Sequence, residues 1–254
     1  MPHRLSLLSW YRLSLLFGLA IAAGLPAQLT TIRPATAAPQ RSALIVGFMG
    51  GRVKSTNLIH KEAVIAHDLQ QRNGSRVSVL TFANHDAGQA MRAVLHYLDV
   101  DRNGSVDASE KQNARIVLYG HSWGASETVN MARQLGRIGV PVLLTIQVDS
   151  VQKPGEDDSI IPANVHRAMN IYQTEGLLNG RRAIRAADAT QTHILGNRRV
   201  SYKHAPVDTS QFPWFARTFM HSHIEIENDP TVWASVQNLI QEEVDATAAT
   251  PPPD

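Results

Sequence analysis

Residues 116–135 constrain the fold of this chain more than any other stretch. An apolar run, Ile116-Val117-Leu118-Tyr119, reaches a helical pattern that begins at Trp123 through Gly120, His121 and Ser122 alone. A strand feeding a helix through so short a link must turn sharply. The central residue of Gly120-His121-Ser122-Trp123-Gly124 is then forced into strained backbone angles, and glycines two positions either side remove the Cβ atoms that would collide there.

The rest of the chain repeats this strand-then-helix alternation. Ala43–Phe48, Arg76–Phe82, Arg115–Tyr119 and Val140–Val148 read as buried strands. Helices are expected at 57–71, with Leu58, Ile65, Ala66 and Leu69 on one face, at 87–98, and at 123–135. Apolar strands separated by single helices imply parallel pairing with right-handed crossovers, hence an α/β fold with a mainly parallel sheet and helices on both faces. The pattern loosens after Asp149. Pro154-Gly155-Glu156-Asp157-Asp158 reads as a solvated loop and 163–175 as a helix. Thr192–Leu195 and Val200–Tyr202 flank Gly196-Asn197 as a hairpin or two short strands. Asp229-Pro230 starts a last helix with Val232, Val236, Leu239 and Ile240 buried, and 246–254 is expected to be disordered.

The amino terminus reads as an export signal. His3, Arg4 and Arg12 precede an apolar stretch from Leu13 to Leu25, too short for a comfortable membrane span, with cleavage expected after Ala27 or Ala37. The expected organisation is a signal peptide over 1–37 and a single domain over 41–245, exported to a periplasm or beyond the cell, with no stable membrane span after processing. Residues 1–37 hold three of the 24 basic residues and no acid, so 21 basic face 22 acidic residues without them, a formal charge of −1. That balance gives nucleic acid nothing to bind. The sequence has no cysteine, so no disulfide contributes and stability must come from the core.

A serine at a tight strand-to-helix turn is presented at a helix N-terminus, where N–H groups and the helix dipole favour developing negative charge. In this context the pentapeptide resembles the nucleophile elbow of the α/β-hydrolase fold family, in its lipase and esterase branch. The resemblance implies an α/β-hydrolase fold from Ala43 to Ile240 and a nucleophile at Ser122. It places one oxyanion donor at the backbone N–H of Trp123. A second is implied in the loop Gly47-Phe48-Met49-Gly50-Gly51, at Phe48 or Met49. The family's chain order puts an acid next and a histidine last. Asp149, ending the strand after the elbow, is the favoured acid, with Asp188 as rival and Asp208 behind it. His223, in a loop ahead of the last helix, is the favoured base, with His221 as alternate. His121 is too constrained to serve its neighbour's oxygen and reads as a packing or pocket residue. The cluster Phe212-Pro213-Trp214-Phe215, with Phe219, reads as core packing, an acyl-pocket wall or a lid.

Residues 99–110 carry a second resemblance, to the twelve-residue EF-hand loop. Asp99, Asp101 and Asn103 stand at positions 1, 3 and 5, Gly104 at the sharp turn, Ser105 at 7, Asp107 at 9 and Glu110 at 12. The implied ligand is a structural calcium ion. The departure lies downstream, where only about one helical turn fits before the next strand. Two function classes follow: an exported hydrolase of small or lipid-like carboxylic esters working through a Ser-His-Asp triad, and a catalytically silent scaffold that binds calcium and a partner.

Overall fold

The computed structural model describes residues 43–51 and 60–249. All of them belong to the second of the two units into which the chain divides, Pro39–Asp254. The expected signal segment, residues 1–37, lies outside the described residues.

In chain order the elements are β1 (Ala43–Met49), α1 (Lys61–Asn73), β2 (Val77–Ala83), α2 (Ala87–Leu98), α3 (Ala108–Gln112), β3 (Ile116–His121), α4 (Trp123–Arg137) and β4 (Val142–Val148). They continue with β5 (Ile160–Ile161), β6 (Val165–Tyr172), β7 (Arg185–Ala186), β8 (His193–Arg199), α5 (Trp214–Phe219), α6 (His221–Asn228) and α7 (Pro230–Ala249). Six strands form one sheet in the order β2-β1-β3-β4-β6-β8, every pair parallel, while β5 and β7 make a small separate pair. This is the α/β-hydrolase fold.

The continuous apolar strands follow from burial on both faces. Leu44, Val46 and Phe48 of β1 pack with Val94 of α2 and Val129 and Leu135 of α4. Ala43 and Ile45 point the other way and pack with Leu69 of α1 and Val236 and Ile240 of α7. The chain runs outward from β1 to β2, then returns to lay β3 on the other side of β1. Ligand crevices open at such a reversal, beyond the strands' carboxyl ends. Here those ends are Met49-Gly50 and His121-Ser122.

Three expectations are corrected. Residues 165–172 form β6, not a helix. The strand sits between β4 and β8, and its polar residues have distant partners: Asn170 Nδ2 donates to Arg181 O at 2.8 Å, and Arg167 pairs with Glu243. Gly196-Asn197 is no turn but lies inside β8, where Asn197 Oδ1 accepts the Ile184 N–H at 2.7 Å. The last helix, with Asp229 Oδ1 accepting the Thr231 N–H at 2.7 Å at its start, continues to Ala249, past the point where the tail was expected to begin.

Candidate active site

Ser122 stands between β3 and α4 with φ +57° and ψ −124°, a conformation L-residues resist. The glycines explain how it is reached. A Cβ at Gly120 would lie 2.6 Å from the Gly124 carbonyl carbon, and one at Gly124 would lie 2.6 Å from the Phe48 carbonyl carbon. The turn therefore needs both positions bare, because β1 passes directly beneath it. The Ser122 N–H donates to Val148 O at 3.0 Å, tying the elbow to the end of β4.

The next residue of β4's exit, Asp149, also has positive φ, +44°. It is fully buried. Its Oδ1 accepts the Gln173 N–H at 3.1 Å and its Oδ2 accepts Gln173 Nε2 at 2.9 Å. Gly180 packs on it so closely that a Cβ there would come within 2.6 Å of Asp149 Cα. His223 completes the line: Nδ1 lies 2.6 Å from Asp149 Oδ2 and Nε2 lies 2.9 Å from Ser122 Oγ. Ser122, Asp149 and His223 thus meet from three separate segments, and each is at least nine-tenths buried.

The alternates stand apart. Asp188 is exposed and accepts the N–H and hydroxyl of Thr190, which hold its carboxyl below the usual range. Asp208 is likewise exposed and engaged by Ser210. His221 pairs with Glu225 one helical turn on, at 2.9 Å, with half its side chain in solvent. One expectation about His223 is corrected: it lies in the first turn of α6 and not in a loop. Residues 222–227 are all buried, and the Ile224 N–H donates back to Met220 O at 2.9 Å, so the segment forms a helix of its own.

Trp123 is the first residue of α4, so its N–H is one of those a helix leaves without an internal acceptor. Phe48 and Met49 end β1, both fully buried. Gly50 follows, and a Cβ there would lie 3.1 Å from Ser122 Cβ, so the end of β1 adjoins the serine. The Gly50 N–H itself donates to Glu62 Oε1 at 3.1 Å.

His121 is buried with its ring 4.6 Å from that of His223, and burial lowers its pKa to about 4, leaving it neutral at ordinary pH. Behind it lies a second ionisable group of residues. His60 Nδ1 pairs with Glu227 Oε1, and that bond is the main cause of the raised His60 pKa. Burial, and then the Glu227 charge, push Glu62 up to about 8.

Asp157 and Asp158 do not share the solvated loop expected of them. Asp157 is exposed, but Asp158 is fully buried, accepting the Ser150 hydroxyl at 2.5 Å and Arg181 Nε at 2.7 Å. It braces the turn just after Asp149. Trp214 and Phe219 are 70% and 54% exposed.

In the acidic loop, Asp99 Oδ1 and Oδ2 accept the N–H groups of Asn103 and Gly104, each at 3.0 Å, and Asn103 Oδ1 accepts the Ser105 N–H at 2.9 Å. Carboxylate oxygens of Asp99, Asp101 and Glu110 lie within 4.8 Å of one another. Gly104 has φ +86°, and Val106 packs inward against the core. Asp107 caps α3, accepting the Glu110 N–H at 2.9 Å while Glu110 Oε2 accepts the Asp107 N–H at 3.0 Å.

No protein-family model and no curated protein matches this sequence. Solved structures do. A cutinase-like protein from Cryptococcus sp. is 14% identical with a TM-score of 0.43, over 82% of this chain and 97% of that one. A hyperthermophilic esterase from the archaeon Pyrobaculum calidifontis is also 14% identical at 0.43, over 84% and 77%. The RedJ thioesterase of the prodiginine pathway in Streptomyces coelicolor is 18% identical at 0.29, and the chain spans 44% of its length. Among the described residues no helix is long and apolar enough to cross a membrane.

Proposed function

We propose that this protein hydrolyses carboxylic esters with Ser122 as nucleophile, His223 as general base and acid, and Asp149 as the orienting carboxylate. The observation that carries the reading is the hydrogen-bonded line from Asp149 through His223 to a serine held at φ +57°. Ser122 Oγ attacks the ester carbonyl as its proton passes to His223 Nε2. Asp149, accepting from Nδ1, stabilises the imidazolium without taking its proton. The oxyanion of the tetrahedral intermediate is met by the Trp123 N–H and by a donor from the end of β1, Met49 or Phe48. His223 then returns the proton to the departing alcohol oxygen, leaving an acyl-serine. Water, deprotonated in turn by His223, releases the acid and restores Ser122.

The acidic loop is assigned to calcium, held by Asp99, Asp101, Asn103, the Ser105 carbonyl, Asp107 and Glu110. An all-oxygen donor set around a glycine turn suits that ion. Bound there, calcium would neutralise the clustered carboxylates and pin the link from α2 into β3, the strand that carries the nucleophile. The export assignment rests on the amino-terminal sequence.

Hydrolysis of a chromogenic short-acyl ester tests the reading. Wild type is expected to turn over and a folded Ser122→Ala variant to lose essentially all activity. Undiminished turnover by the variant contradicts the nucleophile assignment. An inert wild type with calcium bound supports the silent-scaffold reading instead.

A further inference from the structure

The group behind the triad is unusual for a protein interior. His60 precedes α1, Glu62 lies in its first turn, and Glu227 is near the end of α6, so two distant segments converge. One ligand atom from each lies within 4.8 Å of the others. Glu62 is fully buried and Glu227 nearly so, while His60 reaches partly to solvent. Two carboxylates therefore share a dry site with one imidazole. Among the described residues the buried Glu62 Oε2 has no hydrogen-bond partner, and neither does Nε2 of the buried His121, whose ring comes within 3.9 Å of Glu227 Oε2. Buried carboxyl oxygens left without a partner are costly unless a ligand fills the site.

We propose that His60, Glu62 and Glu227 bind a first-row divalent transition-metal ion, with zinc as the reference. The donors are one imidazole nitrogen and carboxylate oxygens, the set such an ion takes in place of the all-oxygen shell of calcium. The partial exposure of His60 supplies an entry path. A divalent charge held there offsets both carboxylates. The site is distinct from the acidic loop, and it does not depend on the hydrolase reading, because the test measures binding alone.

The full chain, stripped with chelator and returned to saturating calcium, is titrated with zinc by calorimetry. One equivalent is expected to bind. His60→Ala and Glu227→Gln are expected to weaken it by about 100-fold or more, since even groups that only orient a ligand contribute 10–100-fold. Asp99→Asn, in the acidic loop, is expected to leave zinc binding unchanged. X-ray absorption of zinc-loaded wild type needs no variant and is expected to give a mixed nitrogen and oxygen shell. Absence of uptake, an all-oxygen shell, or full-strength binding by folded His60→Ala and Glu227→Gln would each overturn the site.

Discussion

Gln173 grips Asp149 twice, through its backbone N–H to Oδ1 at 3.1 Å and its side-chain amide to Oδ2 at 2.9 Å. Asp149 must face His223 from a backbone conformation with φ +44°, and Gln173 is what fixes the carboxylate there. Gln173→Ala is expected to lower kcat about tenfold with little change in KM, because substrate contacts are untouched while the base loses its orientation. Steady-state kinetics check this. An effect confined to KM would place Gln173 in substrate binding.

Asp149→Asn leaves the geometry intact but favours the wrong imidazole tautomer, and the expected loss in kcat is on the order of 10⁴-fold. Asp188→Asn, at an exposed turn where the carboxylate is engaged by Thr190, is expected to stay near wild type. The two variants assayed side by side decide between the candidate acids.

Calcium should appear as stability. In Glu110→Gln the ligand at position 12 loses its charge, and melting in calcium is expected to occur several degrees below wild type, corresponding to about 1–2 kcal/mol. With chelator present the two curves are expected to coincide. A wild type whose melting ignores both calcium and chelator would refute the assignment.

The burial of neutral His121 predicts an acid-side loss of stability. Its folded pKa, about 4, lies below the 6.5 of an exposed imidazole, so the unfolded chain binds the extra proton first. The stability it contributes is complete above pH 6.5 and is lost as pH falls toward 4, by roughly 3 kcal/mol. Urea denaturation across that range, on protein freed of transition metals, should show a shallower slope for His121→Gln than for wild type.

The elements that periodicity made legible are those whose neighbours in sequence are also their neighbours in space. The 87–98 helix matches α2 residue for residue, and the strand, turn and helix around Ser122 stand where Gly120 and Gly124 require them. β6 was hidden because Val165, Ala168 and Met169 repeat at helical spacing. Only the pairing with β4 and β8, and partners as distant as Arg181 and Glu243, make the segment a strand. Gly196-Asn197 carries turn chemistry, yet Asn197 spends its amide inside the sheet. The family's chain order made Ser122, Asp149 and His223 candidates, with Asp188 and His221 as alternates, and the structure brings the first three together. Gln173, Asp158 and Glu62 could not be picked out, since a buried polar residue has no local mark until its partner is brought to it.

Labelling with a fluorophosphonate probe, followed by mass spectrometry of the modified peptide, identifies the activated nucleophile without a substrate. The phosphonyl group is expected on Ser122 in the native protein, and to be absent after denaturation or in His223→Ala. A native, folded protein that takes no label, or takes it on another residue, would rule out Ser122 as the nucleophile.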